Sequence, residues 1–336
     1  AQMIAGMGKM ARKILESKKL RGYYRAPFGV VQGVDGVSLS VYEGDSLAIA
    51  GESGCGKTTL IELFTGTPVP LLYYEGGDII VESYDILHMD PEKLRKEVKC
   101  VHLSYVPQSA LSSLNPTKRV KEFLADMLKE RTGESYTPDE AKEMIGKHFK
   151  RLGLDTKLLD RYPHELSGGE KQRATIAIST FSEPSVLLVD EPTSSLDVSS
   201  QRKMIELLVD ILRRKIVRSL VVVSHDLGVL RQMCDRLAVM YGGRLVEVGK
   251  MDDIVGKPLH PYTKLLLSSL VPLEKNIKNK RLKSIPGRPP DLRDPPPACR
   301  FHPRCPRCMD VCKKKRPPMF KIEGREVACW LLAKGG

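Results

Sequence analysis

Gly51-Glu52-Ser53-Gly54-Cys55-Gly56-Lys57-Thr58 is the stretch on which the reading of this chain turns. It fits the spacing G-x-x-x-x-G-K-[ST] at every fixed position. The run before it, Ser46-Leu47-Ala48-Ile49-Ala50, has the composition of a short buried strand, and Thr59-Leu60-Ile61-Glu62-Leu63-Phe64 opens like a helix. A phosphate-binding loop needs that context. Glycines let successive backbone N–H groups turn inward around phosphates, and the helix N-terminus adds positive potential. Lys57 then bridges the phosphates and the Thr58 hydroxyl ligates Mg²⁺, with Gly51, Ser53, Gly54, Cys55, Gly56 and Thr59 completing the cradle. The expected ligand is a nucleoside triphosphate.

Around this loop the apolar period changes several times. Val37–Val41 and Leu47–Ala50 are β-rich runs broken by Gly33, Gly36 and Gly44, and Asp78–Val81 and Val101–Val106 follow as further strands. Between 117 and 180 the pattern is helical and charged, with helices expected over Lys121–Arg131, Pro138–Leu152 and Gly169–Phe181. Val186–Val189 and Ser219–Val223 are uninterrupted apolar runs separated by a helix over Gln201–Lys215, which indicates a parallel sheet covered on both faces. Beyond about residue 270 the texture shifts. Pro286 to Pro306 holds eight prolines, which excludes helix and central strand, and four cysteines crowd into 299–312. No internal repeat is visible, so one nucleotide-binding unit is expected.

Composition bounds the partners. The net charge is +13, but residues 251–336 alone carry 19 Lys/Arg against 8 Asp/Glu. The rest is nearly balanced, unlike a domain with a basic stripe for a phosphate backbone, and no nucleic-acid partner is expected. No stretch reaches the roughly 18 apolar residues of a membrane span. The N-terminal stretch lacks an apolar core with a cleavage site, so export is not expected. Eight cysteines in such a chain argue for reduced thiols or metal ligands rather than disulfides. Cys55 reads as a small filler in the loop, and Cys100 and Cys234 as buried apolar groups.

Downstream residues narrow the chemistry. Val186-Leu187-Leu188-Val189-Asp190-Glu191 is an apolar strand ending in two carboxylates, placed for Asp190 to hold the Mg²⁺ shell and Glu191 to polarise the attacking water. Leu166-Ser167-Gly168-Gly169-Glu170 opens a second helix with a serine and two glycines, a second anion site. One phosphate loop plus a second phosphate-binding helix end suggests a nucleotide shared between two subunits.

Leu166–Glu170 resembles the signature motif of ABC ATPases, and the accompanying motifs fall in that family's order. Gln108 occupies the Q-loop position, Ser195-Leu196-Asp197 resembles the D-loop, and Ser224-His225-Asp226 the switch-histidine loop. Tyr24 lies where the family places the aromatic that stacks on adenine, with Tyr23 and Phe28 as competitors. The resemblance implies an α/β fold with a RecA-like core, an antiparallel β subdomain and a helical signature subdomain, plus a Cys/Pro-rich C-terminal extension. It implies catalytic roles for Glu191, His225 and Gln108, Mg²⁺ held by Thr58, Gln108 and Asp190, and ATP completed by Ser167, Gly168, Gly169 and Asp197.

Further pieces are similar to ATPase subunits of oligopeptide/dipeptide importers. They are Ser112-Ser113-Leu114-Asn115-Pro116, Tyr162-Pro163-His164-Glu165, His260-Pro261-Tyr262-Thr263, Ile285-Pro286-Gly287 and Cys299-Arg300-Phe301-His302-Pro303-Arg304-Cys305-Pro306. The division expected is an ATPase domain over 1–250, with its helical subdomain about 109–180, and an extension over 251–336. Transmembrane permease subunits, a second ATPase that is a paralogue or a further copy of this chain, and an extracytoplasmic solute-binding protein are the implied partners, with the chain peripheral on the cytoplasmic face of the membrane. Close relatives in the family also move oligosaccharides or nickel. A soluble mechanical ATPase is the rival reading, disfavoured by the single nucleotide unit and the lack of a long coiled-coil insertion. A catalytically dead subunit is disfavoured because Lys57, Asp190, Glu191 and His225 are all present.

The tail reads Cys299-x₅-Cys305-x₂-Cys308-x₃-Cys312-x₁₆-Cys329. Five thiols exceed the four that a cubane or a structural zinc takes. Zinc sites favour two C-x₂-C knuckles, and only Cys305/Cys308 fits one. The resemblance implies a [4Fe–4S] cluster on Cys299, Cys305, Cys312 and Cys329, leaving Cys308 spare, with zinc as the alternative. The proline-rich segment is too poor in apolar residues to build a core, and no route from it to the nucleotide is evident.

Overall fold

The computed structural model describes residues 12–27, 29–108, 115–269 and 285–333. The expected runs become strands β2 (Gly29–Tyr42), β3 (Ser46–Ala50), β4 (Leu72–Val81), β6 (Leu103–Val106), β7 (Val186–Asp190) and β8 (Ser219–Val223), and β1 (Lys13–Ala26) and β5 (Tyr84–Asp85) join them unannounced. β9 (Arg236–Tyr241), β10 (Arg244–Lys250), β11 (Phe320–Ile322) and β12 (Arg325–Val327) follow. Helix α1 spans Lys57–Phe64, and a short helical turn at Pro91–Lys93 runs into a π-turn at Leu94–Val98. Then come α2 (Val120–Thr132), α3 (Pro138–Arg151), α4 (Gly168–Thr180), α5 (Val198–Arg213), α6 (Leu227–Met233), α7 (Met251–Gly256), α8 (Pro261–Ser268) and α9 (Asp310–Lys314).

Strands β6, β7, β8, β3 and β9 pair in parallel, in that spatial order. Every residue of β3, β7 and β8 is buried, as expected of strands covered on both faces. The pleat sends alternate side chains into two cores. Ala48, Ala50, Leu187 and Val189 join the layer under the helices. Leu47, Ile49, Val186 and Leu188 join the layer that α1 and the antiparallel strands cover. That second layer is a four-stranded antiparallel sheet in the order β2-β1-β4-β5.

Two features depart from expectation. β1 has no clean alternation in sequence, because Lys18, Lys19 and Arg21 interrupt it. A register shift between Ser17 and Leu20, with Lys19 at φ 48°, resets the pleat so that Leu15 and Leu20 both stay buried. The large sheet is also mixed rather than wholly parallel. β10 turns back on β9, and the tail strands β12 and β11 add antiparallel to β10.

The tail is therefore built into the core sheet. Arg325 and Glu247, both essentially without solvent contact, approach to 3.6 Å, and Phe301 is buried in the helix-side core. The proline-rich segment thus borrows a core where it cannot build one. Cys234 is buried as expected, whereas Cys100 is exposed, at φ 61° in the turn before β6. Among the described residues no helix is long and apolar enough to cross a membrane.

Candidate functional site

Parallel pairing brings the C-terminal ends of β3, β6, β7 and β8 to one edge of the sheet, where α/β folds bind their ligands. The loop Gly51–Gly56 leaves β3 and feeds α1, whose first residue is Lys57. Gly56 has φ 100°, and a Cβ there would lie 2.1 Å from the Gly33 carbonyl oxygen, so only glycine fits. No side chain caps α1 and its first turn holds no acidic residue. Its leading N–H groups stay free for an anion. Lys57 Nζ donates to the carbonyls of Gly51 (2.8 Å) and Glu52 (3.1 Å), lying across its own loop.

Around the loop a cleft of about 410 Å³ gathers Ser53, Gly54, Gly56, Lys57, Thr58, Thr59, Tyr24, Gln108, Glu191 and His225. Tyr24 and Tyr23 point to opposite sides of β1. The Tyr24 hydroxyl lies 3.1 Å from Thr59 Oγ1 and donates to Glu62 Oε2 at 3.3 Å. Tyr23 packs edge-on against Tyr73 and donates to Asp35, outside the cleft. Phe28 and Ser112, Ser113 and Leu114 lie outside the described residues. Val31, Gly33 and Leu292 also line the cleft. No local signal marks Leu292, which sits among prolines and reaches the site only because its carbonyl accepts the Gln32 N–H at 2.8 Å.

Asp190 ends β7 and is 1% exposed, and among the described residues neither of its carboxylate oxygens has a hydrogen-bond partner. Burial raises its pKa, with the nearby Thr58 hydroxyl and Lys57 opposing. A buried, unpartnered carboxylate beside a hydroxyl on the phosphate loop is a donor set of the hard oxygen kind that Mg²⁺ takes. Glu191 follows at φ 48°, a strained conformation for this residue, and its N–H is tied to the Val223 carbonyl at 2.8 Å. Its Oε1 accepts from the His225 backbone N–H (3.0 Å) and sits 2.9 Å from His225 Nδ1, while Ser224 Oγ donates to Oε2 at 3.2 Å. The β8 loop thus aims the carboxylate.

Other expected residues stand apart. Ser167 caps α4 through a reciprocal box: its Oγ accepts the Glu170 N–H, and Glu170 Oε2 accepts the Ser167 N–H. Ser167 and Gly168 are exposed and do not line the cleft of their own chain, and Gly169 is buried against Ser200. Asp197 caps α5, accepting from the N–H groups of Ser199 and Ser200, and the Ser200 hydroxyl, together with these amides and the Ser199 hydroxyl, holds its pKa well down. In the tail, Cys299, Cys305, Cys312 and Cys329 border one small cavity that Cys308 does not line. Burial raises Cys299 and Cys329 to about 11. Among the described residues no three of these sulfurs lie within 4.8 Å of one another.

A site of this kind, with a glycine loop feeding a helix and paired carboxylates on the neighbouring strand, belongs to a nucleotide-hydrolysing P-loop fold. Comparison with known proteins narrows the class. The ABC transporter family model matches residues 34–194, and the model of the oligopeptide/dipeptide transporter C-terminal region matches 246–312. The chain is 39% identical over 324 residues to the dipeptide transport ATP-binding protein DppD of Caldanaerobacter subterraneus subsp. tengcongensis, covering 96% of this chain and 98% of that protein. It is 38% identical to DppF of Escherichia coli strain K12, covering 91% and 88%.

Among solved structures, the dimeric bacterial ABC transporter cassette MJ0796 aligns with TM-score 0.62 at 24% identity, over 70% of this chain and 98% of that one. The cassette cbiO1 of Clostridium perfringens aligns with TM-score 0.60 at 26% identity, over 73% and 92%. The chain belongs to the ABC transporter family of ATP-hydrolysing, ATP-binding subunits and carries the C-terminal region of its oligopeptide/dipeptide branch.

Proposed function

We propose that this chain hydrolyses ATP to drive a membrane importer of dipeptides or oligopeptides. The observation that carries the reading is the cleft uniting Lys57, Thr58 and the Glu191–His225 pair at one sheet edge, with Asp190 buried beside Thr58. In it, Tyr24 stacks on adenine, the loop N–H groups and Lys57 grip the phosphates, and Thr58, Asp190 and Gln108 hold Mg²⁺, which offsets phosphate charge. Glu191 orients and polarises the attacking water, and His225, bonded to it, senses the γ-phosphate.

The exposed end of α4 completes the site of a second ATPase, a paralogue of this chain, and Asp197 lies along that junction. ATP closes the two halves and phosphate release reopens them. Gln108 links the cleft to the helical subdomain, about 109–180, which docks on permease subunits at the cytoplasmic face, and an external solute-binding protein delivers the peptide. Residues 1–250 form the motor and 251–336 the extension.

Peptide rather than oligosaccharide or nickel follows from the named relatives. ATP-driven uptake of labelled dipeptide into proteoliposomes holding the complete complex tests this. Uptake that persists without ATP overturns the motor; uptake of only a sugar or metal overturns the solute.

The extension carries a [4Fe–4S] cluster in this reading, on Cys299, Cys305, Cys312 and Cys329. One observation supports it: these four border one cavity without Cys308. Anaerobically purified protein should be brown, with about four iron and four sulfide per chain, and Cys308→Ser should keep them. Colourless protein with stoichiometric zinc replaces the cluster by zinc, and metal-free protein removes both.

A further inference from the structure

Two tail motifs that the ATPase chemistry leaves unused converge on one residue of the phosphate loop. Tyr262, at the start of α8, is fully buried, and its hydroxyl accepts the Glu52 N–H at 2.9 Å. Arg304, in the helical turn His302–Arg304, forks onto the Glu52 carboxylate, Nη1 to Oε2 at 2.7 Å and Nη2 to Oε1 at 3.0 Å. The guanidinium is itself fixed. Its Nε donates to the Pro286 carbonyl at 2.7 Å and Nη1 also donates to Tyr241 at 3.2 Å, with the side chain only 5% exposed.

Glu52 is also the hub of its own loop. Its carbonyl accepts from Lys57 Nζ at 3.1 Å and from the Cys55 N–H at 3.3 Å. Where Glu52 sits therefore decides where the Lys57 ammonium and the loop amides sit. A loop with three glycines among eight residues has many conformations to lose when a phosphate arrives. Fixing it beforehand removes that ordering cost from binding.

We propose that Arg304 and Tyr262 are positioning residues for the phosphate loop, acting through Glu52, so that the cysteine-rich extension sets the affinity for Mg·ATP. The inference rests on Gly51–Thr58 being the ATP site. The turn that carries Arg304 is bracketed by Cys299 and Cys305, so order in the tail passes to the loop through this bidentate pair, beside the Tyr262 hydroxyl on the Glu52 N–H.

The test uses the full chain in its assembled complex, measuring Mg·ATP affinity by calorimetry together with KM and kcat. Arg304→Lys keeps the charge and loses the fork. It should weaken binding and raise KM about five- to tenfold, with kcat at saturating ATP within about twofold. Glu52→Gln leaves the tail's own contacts intact and should do the same, and combining both should add little beyond the larger single effect. The exchanged pair Arg304→Glu with Glu52→Arg should recover part of the affinity. Unchanged KM in Glu52→Gln, additive losses in the double variant, or a fall in kcat with KM constant would each overturn the proposal. Lys57→Ala separates the premise: if it still binds Mg·ATP normally, the ATP site is elsewhere and the premise has failed, not the clamp.

Discussion

Helices α1 and α4 both carry a glycine at their N-terminal end, Gly56 as the cap of α1 and Gly168 as the first residue of α4, yet they meet a phosphate differently. The N-terminus of α1 has no side-chain cap, so its leading N–H groups depend on a ligand for their hydrogen bonds. That of α4 is satisfied within the chain by the Ser167–Glu170 box. The first lies in the cleft beside Asp190 and Glu191; the second faces solvent. One end is a binding site in a single chain. The other is a preformed surface, satisfied within the chain, whose serine hydroxyl keeps a proton to donate.

Variants sharpen that contrast. The largest effect is expected at the first end. Glu191→Gln keeps the shape but cannot polarise water, so hydrolysis should fall about 10²–10⁴-fold while Mg·ATP still binds. Phosphate release in single turnover, beside equilibrium binding, checks both halves, and turnover within about twofold of the parent would remove Glu191 as the base.

Next comes Ser167→Arg. It should cut hydrolysis by assembled pairs at least about tenfold, with the isolated chain's Mg·ATP affinity unchanged. If affinity in the isolated chain falls as well, the two helix ends are not separate sites. Tyr24→Ala should weaken Mg·ATP binding about fivefold through lost stacking, and Tyr23→Ala should not, because Tyr23 faces Tyr73 and Asp35. Equal losses in the two would return adenine recognition to an open question between them.

The smallest effect concerns acid. Burial lowers the pKa of His148, with Arg151 adding to the shift, and its Nε2 lies 3.1 Å from Thr180 Oγ1 on α4. The unfolded chain therefore binds a proton here that the folded chain resists. Stability from this residue is whole above about pH 6.5 and is lost as pH falls towards the lower folded value. His148→Gln should flatten the fall in Tm between about pH 6.5 and 5 by a degree or two, read by calorimetry across that range. A Tm profile that stays parallel to the parent's would show that α4 is anchored elsewhere.

Local pattern was enough for the elements that carry the nucleotide chemistry. The apolar runs 186–189 and 219–223 became β7 and β8, and Pro138–Leu152 became α3 within a residue. The loop spacing, the paired carboxylates and the Ser-Gly-Gly helix start are all contiguous, so residue type and order alone specify their backbone. β1 was hidden because a bulge breaks its period, and the exposure of Cys100 because a left-handed turn follows no apolar rule.

What only the tertiary structure decided is which distant segments meet. Leu292 at the cleft, Arg304 and Tyr262 on Glu52, and Arg325 on Glu247 join positions up to 260 residues apart or across separate strands. A prolyl, cysteine-rich tail holds no periodicity that announces such contacts. They exist because β12 pairs with β10 and Phe301 enters the helix-side core, and sheet pairing and burial are properties of the whole chain rather than of any window in it.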